Sequence, residues 1–390
     1  MMHLLSSEIE HILKPSDPKD LMSNFMFRIF KSQVIISDDS QETAGIQIFI
    51  AIRRAYANDD LAFLRYHLFK QYFGSLSYEN LGKITQYFLQ GIKIIENQFK
   101  HPAKDKIYTY IKNQTVPFLI LDDVLRKYRG KISDLAADED QLNAAILSAC
   151  NARYKTINSK VRRAIIRSVI FIFFTKAIFA LFIEGAFEKF LYGRTLWSSI
   201  ALNTLTPPIL MILVGFLIQA PNRANSNRIL KKINIILYED PKLLGVVLTV
   251  KKKPGKTDPI LWSLFVLLWL AAFALSFGAI VFILTKLHIN LLSQFIFIFF
   301  LAIVSFVSFR INRTANMYIL KDKKDNLGSL AFDFFFMPFI QIGRRLTLAI
   351  SQINIILFLF DFIIETPFKG IFAFFEQWFL FLRTQREKLD

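Results

Sequence analysis

Cysteine is nearly absent: Cys150 is the only one in 390 residues, which excludes an intrachain disulfide and any thiolate metal cluster. Histidine is almost as scarce. The five, His3, His11, His67, His101 and His288, form no HExxH motif and no i, i+4 pair. Glycine-rich phosphate loops (GxGxxG, GxxxxGK[ST]) and the GxSxG elbow are also missing, so nucleotide, metal and acyl-transfer sites of the usual kinds find no support. The start, MMHLLSSEIEHILKPSDP, lacks a basic leader and an apolar core, so no secretory signal is expected and the N-terminus is expected in the cytosol. We expect no catalytic residues, no metal and no cofactor. Asp122-Asp123 and Asp138-Glu139-Asp140 read as helix surface and helix start.

Apolar residues are abundant. They make up 53% of the chain, and a mean hydropathy of +0.37 is too high for an ordinary pair of soluble domains. The net charge of +17 is unevenly placed. Residues 1–160 hold 21 basic and 18 acidic residues, and the remaining 27 basic and 13 acidic residues leave +14 on the apolar part. Nucleic-acid binding needs the excess on a soluble face; here it flanks hydrophobic runs, where it marks the cytoplasmic side of a membrane.

The fold class this implies is all-α, a polytopic membrane protein with about four transmembrane helices. Residues 1–160 alternate turn clusters with apolar residues at helical spacing (Tyr78, Leu81, Ile84, Phe88, Ile92, Ile95), which predicts a cytosolic helical bundle. Asp138-Glu-Asp-Gln141 resembles a capping box, and nothing beyond it breaks a helix before Gly185. The membrane domain, 161–309, contains spans expected at 164–183, 200–218, 260–284 and 291–309. At ~1.5 Å per residue each can cross a core of ~30 Å. Ala274 and Gly278 in the third are a small-xxx-small pair that permits close helix contact.

Three loops give one orientation. Lys160, Arg162, Arg163 and Arg167 precede the first span, the 219–259 loop holds nine basic against three acidic residues, and 310–324 adds five more basic residues. The positive-inside rule then puts the N-terminus and residues 310 onward in the cytosol and two short hairpins outside. Within 219–259, NSNRILKKINIILYEDP reads as an amphipathic helix and LLGVVLTVKKKPGK as a short strand with a basic turn, a module near anionic headgroups. Residues 310–390 are expected to lie on the cytoplasmic side as membrane-lying helices. A polar stripe through Arg344, Thr347, Ser351, Asn354, Asp361 and Glu365 favours an interfacial helix over a span for 346–365.

Two features are candidates for a polar site inside the membrane. Lys176 lies near midplane, where a lysine costs about 2.5–3.5 kcal/mol and turns toward protein or water. On a helix it shares one face with Ala177, Ala180 and Glu184, and it pairs structurally, with Glu184, Asp333 or Asp361, or lines a polar path, or, with the span shifted, snorkels to the interface. In span 2, Asn203, Thr204 and Thr206 precede Pro207 and Pro208, which remove two amide donors and free carbonyls in a dry environment. This is a kink satisfied locally or a broken helix that forms a site, as transporters use. Candidate headgroup contacts are Arg162, Arg163, Lys251, Lys252, Lys253, Arg344 and Arg345. The first functional expectation is an interaction or scaffolding protein of the cytoplasmic membrane, its partners the bilayer, anionic lipids and a protein held by the N-terminal domain, with no nucleic acid. The second is a small transporter or channel subunit using Lys176 and the proline-broken span, and the third a membrane-embedded enzyme.

Overall fold

A computed structural model describes residues 2–13, 17–74, 78, 81–193, 197–218, 221–240, 247–251, 259–287, 289–320, 327–352, 374–379 and 381. The chain is mostly helical and divides into two compact units, one of residues 1–162, 219–266 and 313–324, the other of residues 163–218, 267–312 and 325–390. One two-stranded parallel sheet qualifies the all-α expectation. The strand expected in the basic loop, β2 (Leu248–Lys251), pairs with β1 (Val34–Ser37), Val34 opposite Leu248 and Ser37 opposite Lys251.

The first unit packs α2 (Asp17–Phe30), α3 (Gln41–Ile52), α6 (Lys104–Lys127), the start of α8 (Glu139–Phe179) and α11 (Arg223–Tyr238) around Met26, Phe30, Ile48, Ile107, Phe118 and Ile146. Local signals set the helix starts. Ser40 accepts from Thr43 N at 3.1 Å at the head of α3, and Asp60 accepts from Phe63 N at 2.8 Å at the head of α4 (Leu61–Phe73). Asp138 starts α8, accepting from Gln141 N at 3.0 Å and Gln141 Nε2 at 2.8 Å. The basic 219–259 segment belongs to this unit: Ile229 and Ile233, one turn apart on α11, are fully buried in its core.

Two buried polar knots hold the unit together. Asn225 is 1% exposed, and its Nδ2 donates to Tyr154 Oη at 2.7 Å and to the Tyr318 carbonyl at 2.8 Å. Its Oδ1 accepts from Leu320 N at 3.0 Å. One amide thus ties the three separate chain segments of the unit. The second knot centres on Arg53, 2% exposed, which bonds Asp20, Asp59 and His67. Arg53 opens a π-helical turn, Arg53–Ala57, that closes on Asn58 in the left-handed region at φ +59°.

The second unit holds the greater part of the apolar helices. Among the described residues three are long and apolar enough to cross a membrane: the continuous helix Glu139–Phe190, Pro259–Lys286 and Leu291–Tyr318. A fourth apolar stretch, Asn203–Leu217 within α10 (Trp197–Leu217), is shorter. Large apolar side chains such as Phe171, Phe182, Leu270 and Phe282 stand exposed, which suits a lipid rather than an aqueous surround.

Helix contacts in this unit differ from expectation. Ala274 and Gly278 on α12 (Pro259–Lys286) are exposed, and a Cβ on Gly278 would meet open space. The tight approach lies elsewhere: a Cβ on Gly343 would stand 2.0 Å from the Ala302 carbonyl oxygen, so α14 (Leu327–Gln352) seats its backbone against α13 (Leu291–Ala315). Ser276 Oγ also donates to the Phe335 carbonyl at 2.7 Å, and Phe339 is fully buried beside Leu284, Phe297 and Leu301. The helix read from 346 onward therefore begins nineteen residues earlier, at Leu327, and packs on its neighbours; residues 353–373 lie outside the described residues.

Two measurements check the knots. Asn225→Leu leaves the Tyr318 carbonyl and the Leu320 amide without this partner and leaves the Tyr154 hydroxyl only its longer bond to Ser226 Oγ, and is expected to cost about 3 kcal/mol or more. Hydrogen exchange should then accelerate together around residues 154 and 318–320. His67, pushed down from 6.5 to about 4 by burial and then by the Arg53 charge, is held neutral by the fold. Asp20 opposes that push, His11 and Lys70 add to it, and burial raises the facing Asp59 carboxyl. Because the unfolded chain takes up the His67 proton first, its contribution is intact above pH 6.5 and is lost as pH falls toward 4, by up to about 3 kcal/mol. Asp59 works in the opposite sense nearer its own range. Unfolding free energies should fall between about pH 6.5 and 5, and His67→Gln should flatten that slope.

Candidate functional site

Lys176 and Glu184 are both 0% exposed and form an ion pair. Their spacing needs explanation. Eight residues along a regular α-helix leave two side chains ~80° apart at 3.6 residues per turn. Between them runs a second π-helical turn, Ala180–Glu184, in which Gly185 N donates to the Ala180 carbonyl five residues back. The wide turn absorbs one residue, so Glu184 falls where a seventh would, within ~20° of Lys176.

The carboxylate is satisfied on its other oxygen as well. Asn203 Nδ2 donates to Glu184 Oε2 at 2.8 Å, and Ser293 Oγ donates to the same atom at 3.2 Å. The Lys176 ammonium also sits 5.5 Å from the centre of the Phe300 ring. Three chain segments, 176–184, α10 and α13, thus meet on one buried charge pair. Next to it Asn290 caps α13, accepting from Ser293 N at 2.8 Å while its Nδ2 donates to Glu188 Oε1 at 3.0 Å; Glu188 is buried too. Gln294 Nε2 closes the turn by donating to the Ile289 carbonyl at 2.8 Å.

Of the residues singled out in sequence, the structure brings Lys176, Glu184 and Asn203 into contact. Thr204 is buried beside them, and its Oγ1, like Asn203 Oδ1, has no hydrogen-bond partner among the described residues. Pro207 and Pro208 are buried and Thr206 half-buried on the same helix, which runs unbroken from Trp197 to Leu217; the broken-helix expectation does not hold. Of the other acids considered for Lys176, Asp333 is exposed and Asp361 lies outside the described residues. Arg162, Arg163, Lys251, Arg344 and Arg345 are exposed at the surfaces of their own units, while Lys252 and Lys253 lie outside the described residues.

Ser293, Asn290, Glu188 and Phe300 were not singled out from sequence. The Asn290-x-x-Ser293 spacing is a helix-start signal that could have pointed to the first two. Among the described residues no group of three or more His, Cys, Asp or Glu side chains is placed to hold a metal. Cys150 is buried, its thiol pushed up to about 11 by burial, which makes it a poor nucleophile.

Chemically the network holds helices together. Lys176→Met alone leaves the Glu184 carboxylate buried without its cation and should cost about 3–5 kcal/mol, whereas adding Glu184→Gln should recover most of that loss. Thermal unfolding of the single and double variants in detergent checks this; a double variant as unstable as the single one would contradict the pairing.

No family model matches the chain, and neither a curated protein nor a solved structure does, so the reading of this network rests on its own chemistry.

Proposed function

We propose that the chain is an interaction or scaffolding protein of the cytoplasmic membrane. It has four spans, and its N-terminus, the 219–259 segment and residues beyond 310 are cytosolic. The observation that carries this reading is the closed state of the intramembrane charge: Glu184 is occupied by Lys176, Asn203 and Ser293, all buried. A pair so enclosed locks helices and leaves the folded first unit to meet a protein partner, with the basic residues beside the spans facing anionic headgroups.

The four-span topology has its own support. Tyr154, Asn225, Tyr318 and Leu320 are hydrogen-bonded within one unit, which supports a reading in which residues 163–218 and 267–312 each leave and re-enter that unit from one side of the membrane. An even number of crossings in each favours counting the short α10 as a span, in agreement with the three basic loops.

A small transporter or channel subunit is the second reading. The two unpartnered buried oxygens, Asn203 Oδ1 and Thr204 Oγ1, favour it, because polar atoms of this kind inside a membrane line substrate or ion paths. Crosslinking in native membranes separates the two: a stoichiometric protein partner is expected for a scaffold, and its absence together with ion or solute flux from reconstituted vesicles would favour transport.

Topology is tested with single cysteines on a Cys150→Ser background. Thr195→Cys and Asn290→Cys should react with an impermeant maleimide from outside intact cells, and Lys252→Cys, Lys323→Cys and Gln385→Cys only after permeabilisation. Outside labelling of Lys252→Cys would overturn the orientation.

A further inference from the structure

The first unit carries an apolar pit that neither knot uses. It has a volume of about 660 Å³, within the ~300–1,000 Å³ of small-molecule sites. Its lining comes from α2, from the end of α6, from α7 (Ile132–Ala137), from α8 and from the last turn of α11. After α6 the chain turns at Gly130, φ +86°, into the six-residue α7, whose Ile132 and Leu135 line one side of the pit. Met22, Leu121 and Leu142 form a buried floor, while Leu21 at the mouth is 71% exposed. An apolar surface left open to water in this way is unfavourable unless something covers it.

The charges say what kind of molecule that is. Of the thirteen lining residues ten are apolar, and the three charged ones, Asp122, Arg126 and Arg129, fall within eight residues at the end of α6 and in the turn that follows it. Arg126 Nε is taken by Asp122 Oδ2 at 2.9 Å, which leaves the exposed guanidinium of Arg129 as the net positive charge of the rim. The floor offers no polar partner, so an extended peptide would bury main-chain amides against it unpaired. A molecule with an apolar chain and one anionic end pays no such penalty. We propose that this pit binds a long-chain fatty acid, its acyl chain on the Met22, Leu121 and Leu142 floor and its carboxylate on Arg129. Arg129 can grip a carboxylate with two parallel N–H donors, which a neutral head group of the same size does not repay.

The test uses the full chain in nanodiscs of neutral phosphatidylcholine, photolysed with a palmitic acid that carries a diazirine near its methyl end. Adducts mapped by mass spectrometry should fall in the peptides containing Leu21–Phe25 and Leu121–Leu142. Unlabelled palmitate should compete, and hexadecanol, the same chain without the charge, should compete roughly tenfold less well. Arg129→Glu, an exposed substitution whose melting curve should match the parent, should cut labelling by a similar factor, while Arg129→Lys, which keeps the charge but loses the two parallel donors, should label between the two. Adducts confined to the apolar helices of the second unit would overturn the proposal. So would equal competition by acid and alcohol, or undiminished labelling of Arg129→Glu. A helix of another protein crosslinked through Leu21 and not displaced by palmitate would assign the pit to a protein partner instead.

Discussion

A primary amide removed from water must recover its hydrogen bonds from protein, and Asn225 recovers three of them from parts of the chain that are far apart in sequence. Tyr154 lies just before the first apolar segment, Asn225 just after the second, and Tyr318 with Leu320 at the end of the helix Leu291–Tyr318. The bonds are formed only when all three strands of chain have come back to one place. The first unit is therefore complete only when the chain on both sides of the apolar segments has come back to it, and Asn225 is one side chain that joins all three parts. Ile229 and Ile233, buried in the same core, add the apolar surface that makes the return favourable.

The two units solve their polar problems in a similar way. In each, a π-helical turn adjoins a buried basic side chain bonded to carboxylate: Arg53–Ala57 beside Asp20 and Asp59, Ala180–Glu184 beside Lys176. A π turn exchanges regular helical bonding for a new side-chain direction, and the ion pair it permits recovers part of that cost. In the apolar unit the consequence is larger, because an unpaired charge there has no water to turn to. The Asn203 amide and Ser293 hydroxyl complete what the lysine begins.

Much of this was legible in the sequence where the cause is local. Apolar length marked the long helices, Asp138 the start of α8, and alternating Leu248 to Lys251 a strand. Lys176 announced itself by charge, and Glu184 was among its expected partners. What could not be read depends on distant chain or on irregular backbone. Val34–Ser37 becomes a strand only because β2 lies beside it, since four apolar and polar residues next to turn signals carry no decisive period. The π turn that aligns Lys176 with Glu184 has no composition signature: a 3.6-residue period leaves the two ~80° apart on one broad face, and the turn closes that angle. Gly343, not Ala274 or Gly278, takes the close helix contact, because small residues permit an approach without specifying the partner. Pro207 and Pro208 stay within a continuous helix: their missing N–H groups cost two helical bonds without forcing the chain to turn.

The coupling of the chain segments can be observed directly. Asn143 on α8 and Asn234 on α11 meet across the first unit, Asn234 Nδ2 donating to Asn143 Oδ1 at 3.3 Å, with the first two apolar segments between them in sequence. Asn143→Cys with Asn234→Cys, on the Cys150→Ser background and with a protease site inserted near residue 195, gives a pair to oxidise in native membranes. If the segments return to one unit, the disulfide forms and the cleaved halves stay joined until reductant is added. Halves that separate without reductant, with the two thiols reacting from opposite sides of the membrane, would contradict it.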